Sequence, residues 1–162
     1  MTLCYIPAMI ADSLLIPQTI VRPRSFIGLM TMYESNYLRL LRMAPDLRAL
    51  EGAHVSCVSG DCDLHLEVLE RTPYTSTLSM TYRFDQEDGD TIADPDLTVR
   101  VYFDGCLAEA LHVAGHHRHE LFRRLASAFR TELDSRWTRN VMLNKWLEYC
   151  LDRGHGFGSS GR

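Results

Sequence analysis

The sequence lacks the short motifs that announce most catalytic and cofactor-binding proteins. It has no glycine-rich phosphate loop, no Gly-x-Ser-x-Gly nucleophile elbow and no Cys-x-x-Cys pair. The acidic segment 85–90 approaches a calcium loop, but its glycine stands at the fifth position and the calcium pattern requires it at the sixth. The sequence therefore names no reaction, and we predict no cofactor.

Long apolar runs are also missing. No stretch approaches the roughly 18 apolar residues that a membrane span requires. The first 24 residues are apolar, but Asp12 interrupts them, Pro7 and Pro17 break any helix, and no basic residue precedes them as in a secretory signal. We expect a loosely ordered N-terminal arm over 1–24 and no membrane partner.

The sequence also lacks an excess of positive charge and an even number of cysteines. The formal net charge is -4, so a nucleic-acid partner is disfavoured. The cysteines number 5, and several fall within predicted strands or helices, where free cysteine behaves as a small core residue. This usage predicts a reducing, cytoplasmic location.

The strongest local signal is a β-hairpin over 97–113. Two alternating runs flank Asp104-Gly105, which predicts a two-residue type I′ turn. One face of the hairpin is then nearly all apolar and the other carries charge. The turn fixes six opposed pairs: Phe103–Cys106, Val101–Ala108, Val99–Ala110, Leu97–His112, Arg100–Glu109 and Tyr102–Leu107.

Hydrophobic periodicity predicts the remaining elements. Apolar residues at three- and four-residue steps predict a helix at 25–43 and two more at 119–133 and 140–152. Alternation predicts three further strands, at 53–58, 62–68 and 78–84, and a polar connection over 85–96.

We therefore predict an α+β fold with an N-terminal helix, a five-stranded antiparallel β-meander, and two C-terminal helices packed on one sheet face. A single domain over 25–154 would precede a flexible tail at 155–162.

The register of the second and third strands is also open to argument. Their apolar faces coincide if even positions pair with even ones, as in Glu70 opposite Tyr74 and Val68 opposite Ser76. A loop of three or five residues gives that pairing, whereas four residues would set the faces against each other.

The polar hairpin face supplies the candidate binding site. Arg100, Tyr102 and Glu109 share it, with Glu70 and Tyr74 nearby if their strands are neighbours. An arginine beside two tyrosines can clamp a phosphate or carboxylate. The alternative is a cross-strand ion pair that fixes register and contributes a few tenths to about 1 kcal/mol.

A histidine-rich run offers a weaker candidate for metal binding. On a helix His116 would share a face with His119 and Glu120, and His112 approaches from the preceding strand. The spacing matches no standard metal motif, and Gly115 favours a solvated loop instead.

Several segments together resemble a known family. They are LMTMYESNY (29–37), ERTPYT (70–75), LTVRVYFD (97–104), AE (108–109) and WLEYCL (146–151). In this order they resemble the YqiB-like bacterial proteins, small cytosolic domains of unestablished function. The chain departs from that family at Asp134-Ser135-Arg136, where an Asp-Glu-Lys triplet is usual, and it lacks the family's Tyr-Pro-Asn segment. The resemblance implies a fold and a compartment and transfers no catalytic residue.

The leading functional prediction is a non-enzymatic binding or adaptor module that contacts an unknown protein or a small anionic ligand through the face around Arg100. One alternative is a small-metabolite binding protein or enzyme, taking a phosphate or carboxylate in a pocket between sheet and helices. A second alternative is a metal-dependent protein that uses the cluster from His112 to Glu120.

Overall fold

A five-stranded antiparallel sheet with two helices forms the framework of the computed structural model, which describes residues 24–85, 91–113 and 132–158. The strands follow one another in space as in sequence, β1-β2-β3-β4-β5. The α+β class and the antiparallel meander are confirmed. The elements are α1 (Phe26–Met43), β1 (Ala53–Ser56), β2 (Leu64–Arg71), β3 (Thr75–Asp85), β4 (Thr91–Tyr102), β5 (Leu107–Val113) and α2 (Glu132–Arg153).

Helix α1 begins where the sequence predicts it. Ser25 is its N-cap, and the Ser25 hydroxyl accepts the Gly28 amide at 3.0 Å. Such a bond satisfies one of the free amides of the first turn. The helix ends at Met43, shortly before Pro45.

Helix α2 begins at Glu132, earlier than the predicted start at 140. Glu132 and Asp134 favour the positive end of the helix dipole, and Glu132 pairs with Arg136 one turn later. Most of the other predicted C-terminal helix, 119–133, lies outside the described residues. The described part thus has one C-terminal helix, and α1 is the second helix that packs on the sheet.

The main core lies between the apolar sheet face and the two helices. Leu40 and Met43 of α1 and Leu143 and Leu147 of α2 are almost completely buried there. The strands contribute alternate residues to the same cluster: Leu64, Leu66, Leu78, Met80, Tyr82, Leu97, Val99, Val101, Ala108 and Ala110. The period-2 pattern of the sequence therefore marks the buried face correctly.

The β4–β5 hairpin keeps most of its predicted register. Four of the predicted pairs are present, from Tyr102–Leu107 to Val99–Ala110, but Leu97 faces Val113 because the register shifts between Thr98 and Val99. This shift is typical of a β-bulge.

The predicted type I′ turn is wrong. Residues 103–106 form the turn, and the left-handed backbone falls at Cys106, whose φ is 52°. A type I′ turn would place positive φ at its two central residues, Asp104 and Gly105. Phe103 and Cys106 are accordingly turn residues and not a strand pair.

The β2–β3 pair reaches the predicted coincidence of apolar faces by another route. Arg71 pairs with Ser76, so four residues connect the paired positions, and Val68 pairs with Leu78 and not with Ser76. A bulge between Val68 and Glu70 restores the even-with-even pairing. The predicted pairing of Glu70 with Tyr74 is wrong, because Glu70 faces Thr77.

Strand β4 extends into the segment predicted as a polar connection. It begins at Thr91, and Ala93 pairs with Arg83 of β3. Pro95 lies where the register shifts, a position at which a missing amide costs no ladder bond. Residues 86–90 are outside the described residues.

Buried asparagines cover the outer edge of β5. The Asn140 Oδ1 accepts the Ala110 amide at 2.9 Å and an Asn36 Nδ2 hydrogen at 3.2 Å. Asn36 Nδ2 also lies 3.4 Å from the Ala108 carbonyl. These side chains pair backbone groups that an edge strand otherwise leaves open to other chains.

The chain beyond α2 packs back on the core. Gly154, with a φ of 90°, ends the helix, and the His155 amide donates to the Cys150 carbonyl at 2.9 Å, as in a Schellman cap. His155 and Phe157 are only 3% and 4% exposed. These two buried residues lie within the segment predicted as a flexible tail over 155–162, and 159–162 lie outside the described residues.

The cysteines differ from one another in ways that the sequence did not suggest. Cys150 is a buried free thiol, as expected of a core cysteine, whereas Cys57 and Cys106 are free and exposed. Cys62 is disulfide-bonded, contrary to the expectation of free thiols. None of the described helices is long and apolar enough to cross a membrane.

Candidate binding site on the outer sheet face

The sheet face opposite the core is centred on a buried carboxylate, Glu109 of β5. Glu109 is 7% exposed. Its Oε2 accepts the Tyr33 hydroxyl at 2.8 Å, and its Oε1 accepts the Tyr102 hydroxyl at 2.7 Å. Arg136 Nη1 lies 3.6 Å from Oε2. Both carboxylate oxygens are thus hydrogen-bonded and the charge is paired, as burial of a carboxylate requires.

The partners of Glu109 come from three elements: α1, α2 and β4, which carries Tyr102. Tyr33 lies on the buried stripe of α1, and Arg136 lies in the second turn of α2. A small apolar cluster of Leu29, Met32, Tyr33 and Trp137 packs the two helices against each other at this point. The helices thus reach around the covered edge of β5 to a side chain on the far face of the sheet.

Arg100 is opposite Glu109 in the register, as predicted, but its guanidinium has other partners. Its Nε and Nη2 each lie 3.3 Å from Thr77 Oγ1, and its Nη2 lies 3.4 Å from Glu70 Oε2. Tyr102, the diagonal neighbour of Glu109, takes the carboxylate oxygen instead. The ion-pair partner of Arg100 is therefore Glu70 of β2, two strands away from β4 and on the side opposite β5.

These residues form one continuous arrangement, which we call the Glu109 network: Glu70, Arg100, Tyr102, Glu109, Tyr33, Arg136 and Glu132. Its two halves are alike, since on each side of Glu109 a tyrosine is followed by an arginine and then by an exposed glutamate. Arg136 Nε bonds Glu132 Oε1 at 2.9 Å, as Arg100 bonds Glu70 on the other side.

Burial and the central carboxylate both keep the tyrosines neutral. Burial, and then the hydrogen bond to Glu109, raise the pKa of Tyr33 from 10.0 to about 12, while Arg136 opposes that rise. The same two causes raise the pKa of Tyr102, with Arg100 opposing them. The hydrogen bond to Glu132 is the largest of the interactions that raise the pKa of Arg136. Both phenols therefore act as hydrogen-bond donors at neutral pH.

We expect Tyr33 to ionise at a pH of about 12, and Glu109→Gln to lower that pKa while leaving it above 10.0, because burial remains. The folded pKa is raised, so the stability that this group contributes is complete below pH 10.0 and is lost as the pH rises through about 12. Ultraviolet titration of the phenolate, with Tyr33→Phe to assign the signal, measures the pKa. An unchanged value in Glu109→Gln, as in the control Glu67→Gln, would contradict the assigned cause.

The predicted site residues are only partly assembled. Arg100, Tyr102, Glu109 and Glu70 all belong to the Glu109 network. Tyr74 lies at the β2–β3 turn, where its carbonyl accepts the Phe103 amide at 2.9 Å and its side chain is largely exposed.

Sequence reasoning missed Tyr33, Arg136 and Glu132. In the sequence Tyr33 is one of several residues that form the apolar face of the first helix, so nothing marks it as a site residue. Arg136 lies in a segment that was not predicted to be helical. A helical reading of 132–136 would have shown the Glu132–Arg136 pair. Their approach to Glu109 follows only from helix packing.

The histidine candidates remain mostly untested. His112 is exposed on β5, opposite Thr98, while His116, His119 and Glu120 lie outside the described residues. Within the ranges that the structure describes, no three histidine, cysteine or acidic side chains are grouped so as to hold a metal ion.

A second polar group, also missed, joins the C-terminal segment to the sheet. His155 Nδ1 lies 3.1 Å from Ser56 Oγ, and His155 Nε2 lies 3.4 Å from Asp61 Oδ2. The Ser56 hydroxyl also accepts the Gly156 amide at 3.1 Å. The imidazole is completely buried, so these contacts fasten residues 155–157 to β1.

Neighbouring polar groups in this region are held in their neutral forms. Burial raises the pKa of the Cys150 thiol to about 12, so the thiolate needed for nucleophilic chemistry is not formed at neutral pH. Burial also raises the pKa of Tyr82, whose hydroxyl lies 3.4 Å from Cys150 Sγ. This region is chemically a core and not a reactive site.

Comparison with known proteins gives a family without an activity. No curated protein matches the chain, and no solved structure matches it. The family model described as "Protein of unknown function (DUF1249)" matches residues 39–156, which include all five strands, the whole of α2 and the last turn of α1. The chain belongs to this DUF1249 family.

Proposed function

We propose that the protein is a non-enzymatic binding module that contacts its partner through the outer sheet face around Arg100. The observation that carries the proposal is the state of Glu109. Each of its oxygens already accepts a tyrosine hydroxyl, and Arg136 pairs its charge. A general base must also be within reach of the substrate proton, and Glu109 is only 7% exposed. Its contacts with Tyr33 and Arg136 instead have a structural role, because they join both helices to β5.

Arg100 is placed differently. Its side chain is 37% exposed, and its bonds to Thr77 and Glu70 are all 3.3 to 3.4 Å long. An exposed ion pair of this kind contributes only about 0–1 kcal/mol. The guanidinium can therefore turn to a partner's carboxylate or phosphate at small cost, and its planar fork suits either group.

The surroundings also favour a contact surface. The guanidinium lies at the middle of an antiparallel sheet, with half-buried Tyr102 beside it and exposed Tyr74 at the end of the neighbouring strand. Arginine and tyrosine are enriched where interfaces gain most of their binding energy. From the resemblance in sequence we also propose a cytoplasmic location and membership of the YqiB-like bacterial group.

The test is partner recovery by purified wild-type and variant proteins at equal concentration. We expect Arg100→Ala to weaken partner binding about tenfold or more, equivalent to about 1.4 kcal/mol. Arg83→Ala is the matched control, because it removes the same charge from an exposed position of β3. Circular dichroism and thermal unfolding verify that both variants remain folded.

Equal recovery by wild type, Arg100→Ala and Arg83→Ala would remove this face from consideration. Equal losses in the two variants would show that net charge, and not the position of Arg100, determines binding.

A further inference from the structure

We propose that Glu70 and Glu132 are internal competitors, occupying the places that two carboxylates of a partner protein take in the complex. This inference rests on the proposed function and specifies its partner chemistry. The ligand would be a pair of aspartate or glutamate side chains on one protein, bound by Arg100 and Arg136 on either side of Glu109.

The likeness of the two halves of the Glu109 network is the first support. Arg100 bonds Glu70 at 3.4 Å, and Arg136 bonds Glu132 at 2.9 Å. In both pairs the glutamate is the more exposed member, with its side chain 61% exposed in Glu70 and 71% in Glu132. Each of the two arginines thus binds a carboxylate that belongs to a more exposed glutamate side chain.

The second support is that each arginine keeps an anchor when its glutamate leaves. Arg100 retains both contacts to Thr77 Oγ1, and Arg136 retains the buried charge of Glu109 at 3.6 Å. The cations therefore stay oriented, and a ligand does not have to order them. Exchange of one exposed carboxylate for another changes little else, since exposed ion pairs are weak.

The negative charge of the sheet favours a ligand with two carboxylates over one with many closely spaced negative charges. Acidic residues greatly outnumber basic ones over 61–115, which includes β2, β3, β4 and β5. A nucleic acid presents a closely spaced row of phosphates and would be repelled by this segment. Two side-chain carboxylates carried on an uncharged or basic protein surface bring far fewer negative charges. They would contact Arg100 on one side, and on the other Arg136 together with Arg139, whose Nη2 lies 3.9 Å from Glu132 Oε1.

The experiment uses capped peptides with two glutamates separated by one to five glycines, and matched peptides with glutamine in place of glutamate. Binding is measured by amide chemical shifts of the full chain at low salt. We expect Glu70→Gln and Glu132→Gln to tighten binding of a glutamate peptide about three- to tenfold, because each removes a competitor. Arg100→Gln and Arg136→Gln should weaken binding tenfold or more.

Glu67→Gln is the matched control, because it removes the same charge from an exposed position of β2. If it tightens binding as much as Glu70→Gln does, net charge explains the effect and the competitor role is overturned. Failure of every glutamate peptide to bind, or equal binding of the glutamine peptides, overturns the carboxylate specificity.

Two further outcomes separate this inference from the proposed function. If Arg100→Ala lowers partner recovery while Glu70→Gln and Glu132→Gln leave peptide binding unchanged, the inference fails and the binding surface stands. If Arg100 substitutions change neither partner recovery nor peptide binding, both fail. Tighter binding of inorganic phosphate or a single-stranded oligonucleotide than of any peptide overturns the choice of a protein partner.

Discussion

Phe157→Ala is expected to lower the free energy of unfolding by about 3–5 kcal/mol. Phe157 lies beyond the last helix, yet it is 4% exposed and belongs to the main core cluster. Its amide donates to the Met43 carbonyl at 2.6 Å, so its backbone is fixed to the end of α1. Truncation of the ring removes apolar contacts and leaves a cavity that a fixed backbone cannot easily close.

Denaturant-induced unfolding of the full chain measures the effect. Phe26→Ala is the matched control, because it deletes the same atoms from a side chain that is 68% exposed. We expect the control to stay within about 0.5 kcal/mol of wild type, as surface substitutions usually do. Similar small losses in both variants would mean that the segment after Gly154 does not contribute to the core.

Asn140→Ala is expected to destabilise the protein by about 3 kcal/mol, because it leaves buried hydrogen-bonding groups unpaired. The Asn140 side-chain oxygen accepts the Ala110 amide and an Asn36 Nδ2 hydrogen, and its own Nδ2 donates to the Arg136 carbonyl at 2.9 Å. Its removal leaves buried donors without an acceptor, and each such group costs about 1–3 kcal/mol. Because Asn140 also covers the edge of β5, the loss should reach the sheet.

Two measurements distinguish this cause from a general weakening. Amide exchange at Ala110 should accelerate more than exchange at residues of β2. A double-mutant cycle with Asn36→Ala should show a coupling of about 0.5–3 kcal/mol, because the two amides share one hydrogen bond. Glu34→Ala, at an exposed position of α1, is the control. Additive losses with unchanged exchange at Ala110 would contradict the edge-covering role.

The contacts of Asn140 and of the segment that holds His155 and Phe157 join residues far apart in the sequence. The Asn140–Ala110 bond spans 30 residues and the His155–Ser56 bond spans 99. Neither pair carries a local pattern. An asparagine in a helix and a histidine after a glycine cap have ordinary local explanations, so only the folded chain shows that they are buried partners.

The candidate site divides along the same line. Alternation in β4 and β5 was enough to put Arg100, Tyr102 and Glu109 on one face, because successive strand residues point to opposite sides. It could not show that Tyr33 and Tyr102 would take the two oxygens of Glu109. It suggested a cross-strand ion pair between Arg100 and Glu109, whereas Arg100 bonds Thr77 and Glu70. Direct pairing of opposite charges is a good first guess that a better-placed hydroxyl overrides.

By itself the sequence determined the kinds of element and their order, because hydrophobic period and cap residues are local properties that survive in any context. It determined the α+β class, the antiparallel meander and the apolar faces of the strands from β2 to β5. Tertiary structure alone decided the bulges that set the register, the partners of Glu109 and the burial of Phe157. Those depend on which surfaces meet, and a chain's local pattern specifies its faces without specifying what each face will touch.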